Sequence, residues 1–422
     1  MPTRFATIFN QRISVISDRV IAGGIELPAE LDTVSSSELL QQYQYRDGKF
    51  QSKSTKKLAK NMRLAIVSNW DEKCGISTYS QYLYNHITDK VADYKIFAED
   101  SSINTNQFSH SESTFDHIVH CWKRGESLQQ LVAEIKKFNP DIISIQHEFG
   151  LFSSGRYWLS FLTQLSDYRI ITTLHSVFPN HFDKLVFEGA LQEIIVHSDA
   201  AKKALQENKQ LSARVEVIPH GTFPCTDTSR LWNNYKSEHT LCSFGFLFRY
   251  KGVENTIRAV AILKAKYPDV FFTCLCSGGG FSQSDHNSYW RELMELVEKL
   301  GLQEHVALLR GFFSDTVIDA YMRSNKVAVF PYQSNEEHKC FGSSGAGREA
   351  MSYALPVITS NAPHFTDLPT IKVNTPEEMA VELSKVFEDP SHAKTQVEKQ
   401  NEYLAENSWE KTAERYLRIF ES

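Results

Sequence analysis

The chain has 422 residues, too many for one ordinary domain, and its apolar content of 41% and charged content of 23% are globular values, so two folded domains are expected. A formal charge of −6 disfavours a broad non-specific nucleic-acid surface but leaves room for a local basic groove. Scattered cysteines without a CxxC argue for free thiols in a reducing compartment, and the lack of a signal pattern or bilayer-length apolar run points to a cytoplasmic protein.

Residues 1–60 carry the weakest pattern. Short strand-like runs begin at Ile13 and Arg19, Gly23-Gly24 marks a turn, and 35–45 reads as a short serine-capped helix. The basic segment from Lys53 to Arg63 is either a solvated linker or helix face, or a peripheral contact with an anionic acceptor or membrane surface.

At Met62 the pattern changes. A buried parallel-type strand at Arg63 is followed by a loop over 69–77 and a helix over 78–87. Strands then start near Tyr94, His117, Asp141, Ile170, Glu193 and Val215, with a helix over 127–138 and another before Glu193. Such alternation predicts a doubly wound parallel sheet, whose ligands lie beyond the carboxyl ends of the strands, where Gly75, the loop after Gln146, and His175 fall.

A linker is expected over 223–238, and a second α/β series follows it. Strands are predicted at Leu241, Val270 and Val306, and helices over 254–267, 289–300, 315–323 and 376–388, the last with Thr375 as cap and Pro376 at its first position. Cys274 and Cys276 alternate onto one face of a strand, which reads as buried thiols. From Thr395 to the end one long or broken helix is predicted, with Tyr403, Trp409, Tyr416 and Ile419 as apolar anchors. The fold class is thus α/β with an extension (1–60), a first Rossmann-like domain (61–222), a second (239–394) and a terminal helix (395–422) returning to the first domain.

The stretch from Phe330 to Ser360 organises the second half. It reads as strand, polar loop, helix, turn and strand, and Ser343-Ser344-Gly345-Ala346-Gly347 opens the helix. Serines and glycines there leave backbone N–H groups free beside the positive end of the helix dipole, a ready phosphate site, although an ordinary serine cap looks the same. Glu349, one turn inside, is placed to reach past a phosphate to hydroxyl groups.

In chain order CGISTYS, IQHEFG, TLH, IPHG, FRYKG, GFFSD and SSGAGREAMSYALPVITS resemble the signatures of the retaining GT-B glycosyltransferases of the large bacterial family four, over about 62–422. The resemblance implies two Rossmann-like domains facing across a cleft. It implies a nucleoside-diphosphate sugar donor, UDP or GDP, an acceptor saccharide or other hydroxyl compound, and no required metal. By matching positions, Arg249 and Lys251 contact the donor diphosphate, Ser343, Ser344 and Gly345 bind its phosphates, Glu349 binds ribose hydroxyls and Phe312 holds the base. Gly75 lies in the first-domain loop that closes on the diphosphate, His175 lies near the donor sugar, and His147 and Glu148 line the acceptor side. For His175 and His147 a core or capping role is the ordinary alternative.

Two positions depart from the family pattern. The earlier glutamate of the family's pair is Phe341 here, with Glu336 or Glu337 as candidate substitutes, and the position of the family's arginine, five before the lysine, is Phe246. No protein nucleophile stands out, so front-face displacement assisted by the leaving phosphate is expected. The rival readings are an isomerising or epimerising enzyme of nucleotide sugars, a non-catalytic scaffold on the same fold, and, as a specialised variant, transfer to a modified base in nucleic acid.

Overall fold

A computed structural model of the protein describes residues 61–72, 74–100, 116–152, 155–179, 191–207, 211–225, 237–278, 283–311, 313, 315–334 and 339–422, with the strand pairs at 15–16 and 19–20. Strands β1 (Val15–Ile16) and β2 (Arg19–Val20) pair antiparallel in a unit made of 1–58 and 107–111. The other compact unit comprises 59–106 and 112–422. The expected helix at 35–45, the basic run from Lys53 to Lys60, the helix before Glu193, Phe312, Glu336 and Glu337 lie outside the described residues.

The larger unit contains two parallel sheets. The first is built from β3 (Arg63–Val67), β4 (Asp93–Glu99), β5 (Ile118–Trp122), β6 (Ile142–His147), β7 (Arg169–Leu174), β8 (Glu193–Val196) and β9 (Arg214–Val217), in the order β5-β4-β3-β6-β7-β8-β9. The second is built from β10 (Thr240–Phe246), β11 (Phe271–Ser277), β12 (Val306–Arg310), β13 (Val327–Phe330), β14 (Val357–Ser360) and β15 (Ile371–Val373), in the order β12-β11-β10-β13-β14-β15. In each sheet the chain winds outward from the first strand, then returns to wind the other way. The strand order reverses at β3/β6 and β10/β13, and a crevice opens there beyond the carboxyl ends. Helices cover both faces, so central strands such as β6 and β13 are buried along their whole length; β13 is a continuous apolar run, while β6 also buries Ser144, Gln146 and His147. Cys274 and Cys276 share one buried face, with their sulfurs 3.4 Å apart.

The described helices are α1 (Gly75–Asn85), α2 (Gln129–Phe138), α3 (Gly155–Gln164), α4 (Asp199–Gln206), α5 (Val253–Leu263), α6 (Gln283–Lys299), α7 (Asp315–Arg323), α8 (Gly345–Met351), α9 (Pro376–Glu388), α10 (Pro390–Glu406) and α11 (Trp409–Glu421). The Thr375 cap is formed, its hydroxyl accepting the Glu378 N–H. Helix α1 starts three residues before the expected position, since Gly75 through Ser77 take helical geometry and only the segment before them is loop.

The C-terminal region takes the broken form of the expected helix, as two helices, and the first begins five residues early, where the Asp389 carboxylate accepts the Ser391 and His392 N–H groups. The break has a tertiary cause. Thr222 donates its N–H to the Asn407 carbonyl (2.8 Å) and accepts the Trp409 N–H (3.1 Å), while Ser408 caps α11. This crossing carries α11 onto the first sheet, where the Tyr416 hydroxyl meets those of Tyr79 (3.0 Å) and Thr173 (2.9 Å). Gly221 makes the crossing possible, because a Cβ there would stand 2.2 Å from the Trp409 ring.

Candidate functional site

The crevice of the second sheet is bridged by side chains from both of its central strands. Lys251 lies in the 3-10 turn Arg249–Lys251 after β10, and Tyr332 follows β13. Lys251 Nζ donates to the Tyr332 hydroxyl at 2.6 Å and sits 3.9 Å from the centre of that ring and 4.9 Å from that of Tyr250. The Tyr332 hydroxyl is 2.9 Å from Ser344 Oγ, which caps α8 by accepting the Gly347 N–H at 3.1 Å. The two loops can press together because Gly252 adopts φ +66°, where a Cβ would come within 2.2 Å of the Pro331 carbonyl oxygen. Burial works against the Lys251 charge, but the Tyr250 and Tyr332 phenols outweigh it and hold its pKa above the ordinary lysine value. A firmly charged cation therefore sits beside the start of α8.

Arg348 locks that start in place. It is 1% exposed, donates to the Ser344 carbonyl at 3.2 Å, and is paired with Asp367, which also accepts from the Tyr403 hydroxyl at 2.6 Å. Ser343 Oγ is enclosed with no hydrogen-bond partner among the described residues. Farther along α8, Glu349 accepts from the Tyr353 hydroxyl at 3.1 Å. Burial, with the Asp315 carboxylate next in effect, raises its pKa to about 8, so it is largely protonated at neutral pH. Arg249 points elsewhere: its side chain is 53% exposed and forks onto Glu292, with Ser288 Oγ at 3.0 Å.

From the first sheet, histidines at the ends of β7 and β8 and beyond β9 converge. His197 Nδ1 donates to the Ile218 carbonyl (3.0 Å), which leaves its Nε2 to accept from His175 Nδ1 (3.3 Å). His175 Nε2 lies 2.9 Å from Gln146 Oε1. Burial holds both rings neutral, with His197 down at about 4 and His175 also well below the usual value. Neutral rings are accommodated by a half-turn of the Gln146 amide, presenting NH2 to His175 and oxygen to the Tyr84 hydroxyl. Both nitrogens of His175 are thus engaged within the first sheet. His220 differs: Nδ1 donates to the Gly221 carbonyl (2.7 Å), and Nε2 faces the head of α8, 3.7 Å from where a Gly345 Cβ would stand.

His147 lies behind the crevice. It is 1% exposed, packed by Phe149, Phe152 and Trp158, and burial drives its pKa down to about 3. Glu148 is at the crevice edge, accepting from Ser176 Oγ (2.7 Å), and burial pushes its pKa up. Gly75 is exposed at the head of α1, where a Cβ would meet nothing within 4 Å. Phe341 packs against the core of the first sheet and exchanges two backbone hydrogen bonds with Val177, at 2.8 and 3.2 Å. The structure therefore brings Lys251, Ser343, Ser344, Gly345 and Glu349 together from the second sheet, with the histidine group opposite. Arg249 and His147 stand outside that grouping. Sequence reasoning assigned no role to Tyr332, Arg348, His197 or His220, although two of them lie in the motifs GREAM and IPHG.

Two family models match: Glycosyltransferase Family 4 over residues 75–223 and Glycosyl transferases group 1 over 227–415. The chain is 22% identical over 340 residues to a D-inositol 3-phosphate glycosyltransferase of Corynebacterium urealyticum, covering 71% of this chain and 78% of that protein. It is 20% identical over 259 residues to an uncharacterized glycosyltransferase of Methanocaldococcus jannaschii, covering 56% of this chain and 60% of that one. Among solved structures it is similar to Anabaena HepE, determined in complex with UDP and glucose, with a TM-score of 0.64 and 16% identity, covering 86% of this chain and all of that one. The two crevices with their facing parallel sheets and the two consecutive model matches agree: the chain belongs to the GT-B glycosyltransferases of family four, the glycosyl transferases group 1.

Proposed function

We propose that the protein is a retaining, metal-independent glycosyltransferase that takes its sugar from a UDP-sugar and passes it to a hydroxyl of an acceptor saccharide. The observation that carries this reading is the linked series Lys251, Tyr332 and Ser344 at the second crevice. As the glycosidic bond breaks, negative charge collects on the departing diphosphate. Lys251 supplies fixed positive charge there, and the Ser343 hydroxyl and the Gly345 N–H supply further donors. Glu349 takes the ribose hydroxyls and Phe312 the base. Arg249 joins the diphosphate by releasing Glu292. His175 shapes the sugar pocket through its ring edge, and Gly75 lets the first-domain loop approach the diphosphate. Glu148, steadied by Ser176, lines the acceptor side, with His147 packed behind it as support. In front-face displacement the leaving phosphate oxygen takes the acceptor proton, and the new bond forms on the face the diphosphate leaves, which keeps the anomeric configuration. The UDP assignment draws on the UDP-bound Anabaena protein.

Thermal unfolding with UDP, GDP, ADP and TDP, each with and without chelator, tests the reading. Ligand at about 100 times its Kd adds about 2.7 kcal/mol to the native state, which is readily seen. UDP is expected to stabilise the protein equally with chelator present. NMR of the product should then show the anomeric configuration of the donor retained. No shift with any nucleotide, or an inverted product, refutes the proposal.

A further inference from the structure

Beyond the carboxyl ends of β13, β14 and β15 lies a second cleft of about 340 Å³, within the range of roughly 300–1,000 Å³ typical of small-molecule sites. Its walls come from the loops after those three strands and from the start of α5. None of the described residues lining it is charged. It presents amides and hydroxyls instead, among them Asn255, Gln333, Ser360, Asn361 and Asn374.

Several of these groups are held in fixed orientations. Asn361 Nδ2 donates to Asn374 Oδ1 at 2.7 Å, which leaves an amide oxygen on one residue beside an amide NH2 on the other. Gln333 is pinned at both ends: its side-chain nitrogen donates to Glu254 and its backbone N–H to the Tyr250 carbonyl (2.6 Å), leaving Oε1 to accept. Ser360 Oγ donates to the Tyr332 carbonyl at 2.6 Å.

A charged ligand would find no counter-charge on this lining, and an apolar one would leave the amides unpaired. Neighbouring hydroxyls on a sugar ring each donate and accept, which matches adjacent neutral donors and acceptors. We infer that this cleft binds an uncharged saccharide. Tyr332 is the wall it shares with the donor crevice, since its hydroxyl engages Lys251 and Ser344 while its carbonyl accepts from Ser360. A sugar seated here lies one side chain from the transfer site, a position suited to an outlying residue of the acceptor glycan. The inference rests on the sugar-transfer reading for its purpose, though not for its test.

The test is ligand-observed NMR titration of the full chain with glucose, galactose, mannose, N-acetylglucosamine and maltose, with UDP titrated into the same preparations. At least one sugar is expected to bind saturably. Asn361→Ala combined with Asn374→Ala, both exposed positions, should weaken it about tenfold through loss of two hydrogen-bonding amides. Gln333→Leu should weaken it as well, and UDP affinity should be unchanged in all variants. No saturable binding of any sugar, or equal binding by the variants, overturns the inference. Sugar binding without UDP binding upholds the cleft while removing the transfer reading, and UDP binding without sugar binding does the reverse.

Discussion

Replacing Glu349 by glutamine tests the electrostatics of the donor site without any substrate. In the unfolded chain this carboxyl loses its proton near the ordinary glutamate value of 4.5, and in the native state at about 8. Between those values the native state binds more protons than the unfolded one, so stability falls as pH rises across the window and levels off above it. At full burial the difference would be about 5 kcal/mol. Glu349 is partly exposed, which reduces the expected loss to about 2–3 kcal/mol. Urea unfolding of the wild type and of Glu349→Gln, at about pH 5 and about pH 8.5, measures it directly. The wild type should lose that much more stability than the variant between the two conditions. Near pH 7 the variant should bind UDP about as well as the wild type, because the protonated carboxyl and the amide each offer ribose hydroxyls one carbonyl acceptor and a donor, and it should bind more weakly than the wild type only above about pH 8, where Glu349 is ionised. Stability curves that run parallel over the whole range would refute the raised pKa, and the assignment of Asp315 as a repelling neighbour with it.

Lys251→Ala should lower both UDP affinity and transfer by at least about tenfold, or 1.4 kcal/mol, as read by calorimetry and steady-state kinetics. Arg249→Ala should cost less in the same assays, because that side chain must first leave Glu292. Asp367→Ala strands the buried Arg348 charge and should destabilise the fold by about 3–5 kcal/mol in chemical denaturation. Gly221→Ala drives a methyl group into Trp409 and should lower stability by about 1–3 kcal/mol, read as a drop in Tm.

Much of the fold was legible because strands buried on both faces leave apolar-rich runs, as in Ile142 to Ile145, interrupted only by Ser144, and unbroken in 327–330. Helix α9 was legible to the residue, since Thr375 and Pro376 mark its start chemically. The alternation that put Cys274 and Cys276 on one face holds for the same reason: a strand's period is local. Helix α3 left no assigned signal, and the start of α1 was placed late because Gly75 at a helix head reads equally well as loop.

The sequence by itself determined every strand of the two parallel sheets except β15, the strongest helices and the presence of a polar helix start next to a lysine-bearing loop, because each depends on neighbours a few residues away. Tertiary structure alone decided which groups meet. Lys251 and Tyr332 are 81 residues apart and touch because β10 and β13 are adjacent strands. His175 and His197 share a hydrogen bond because β7 and β8 lie side by side. The same spacing turns Arg249, two residues from Lys251, toward a different helix, and seats Phe341 against the opposite sheet. Local chemistry selects the elements, but parallel pairing between distant segments sets which side chains face the crevice, and a linear pattern carries no record of that pairing.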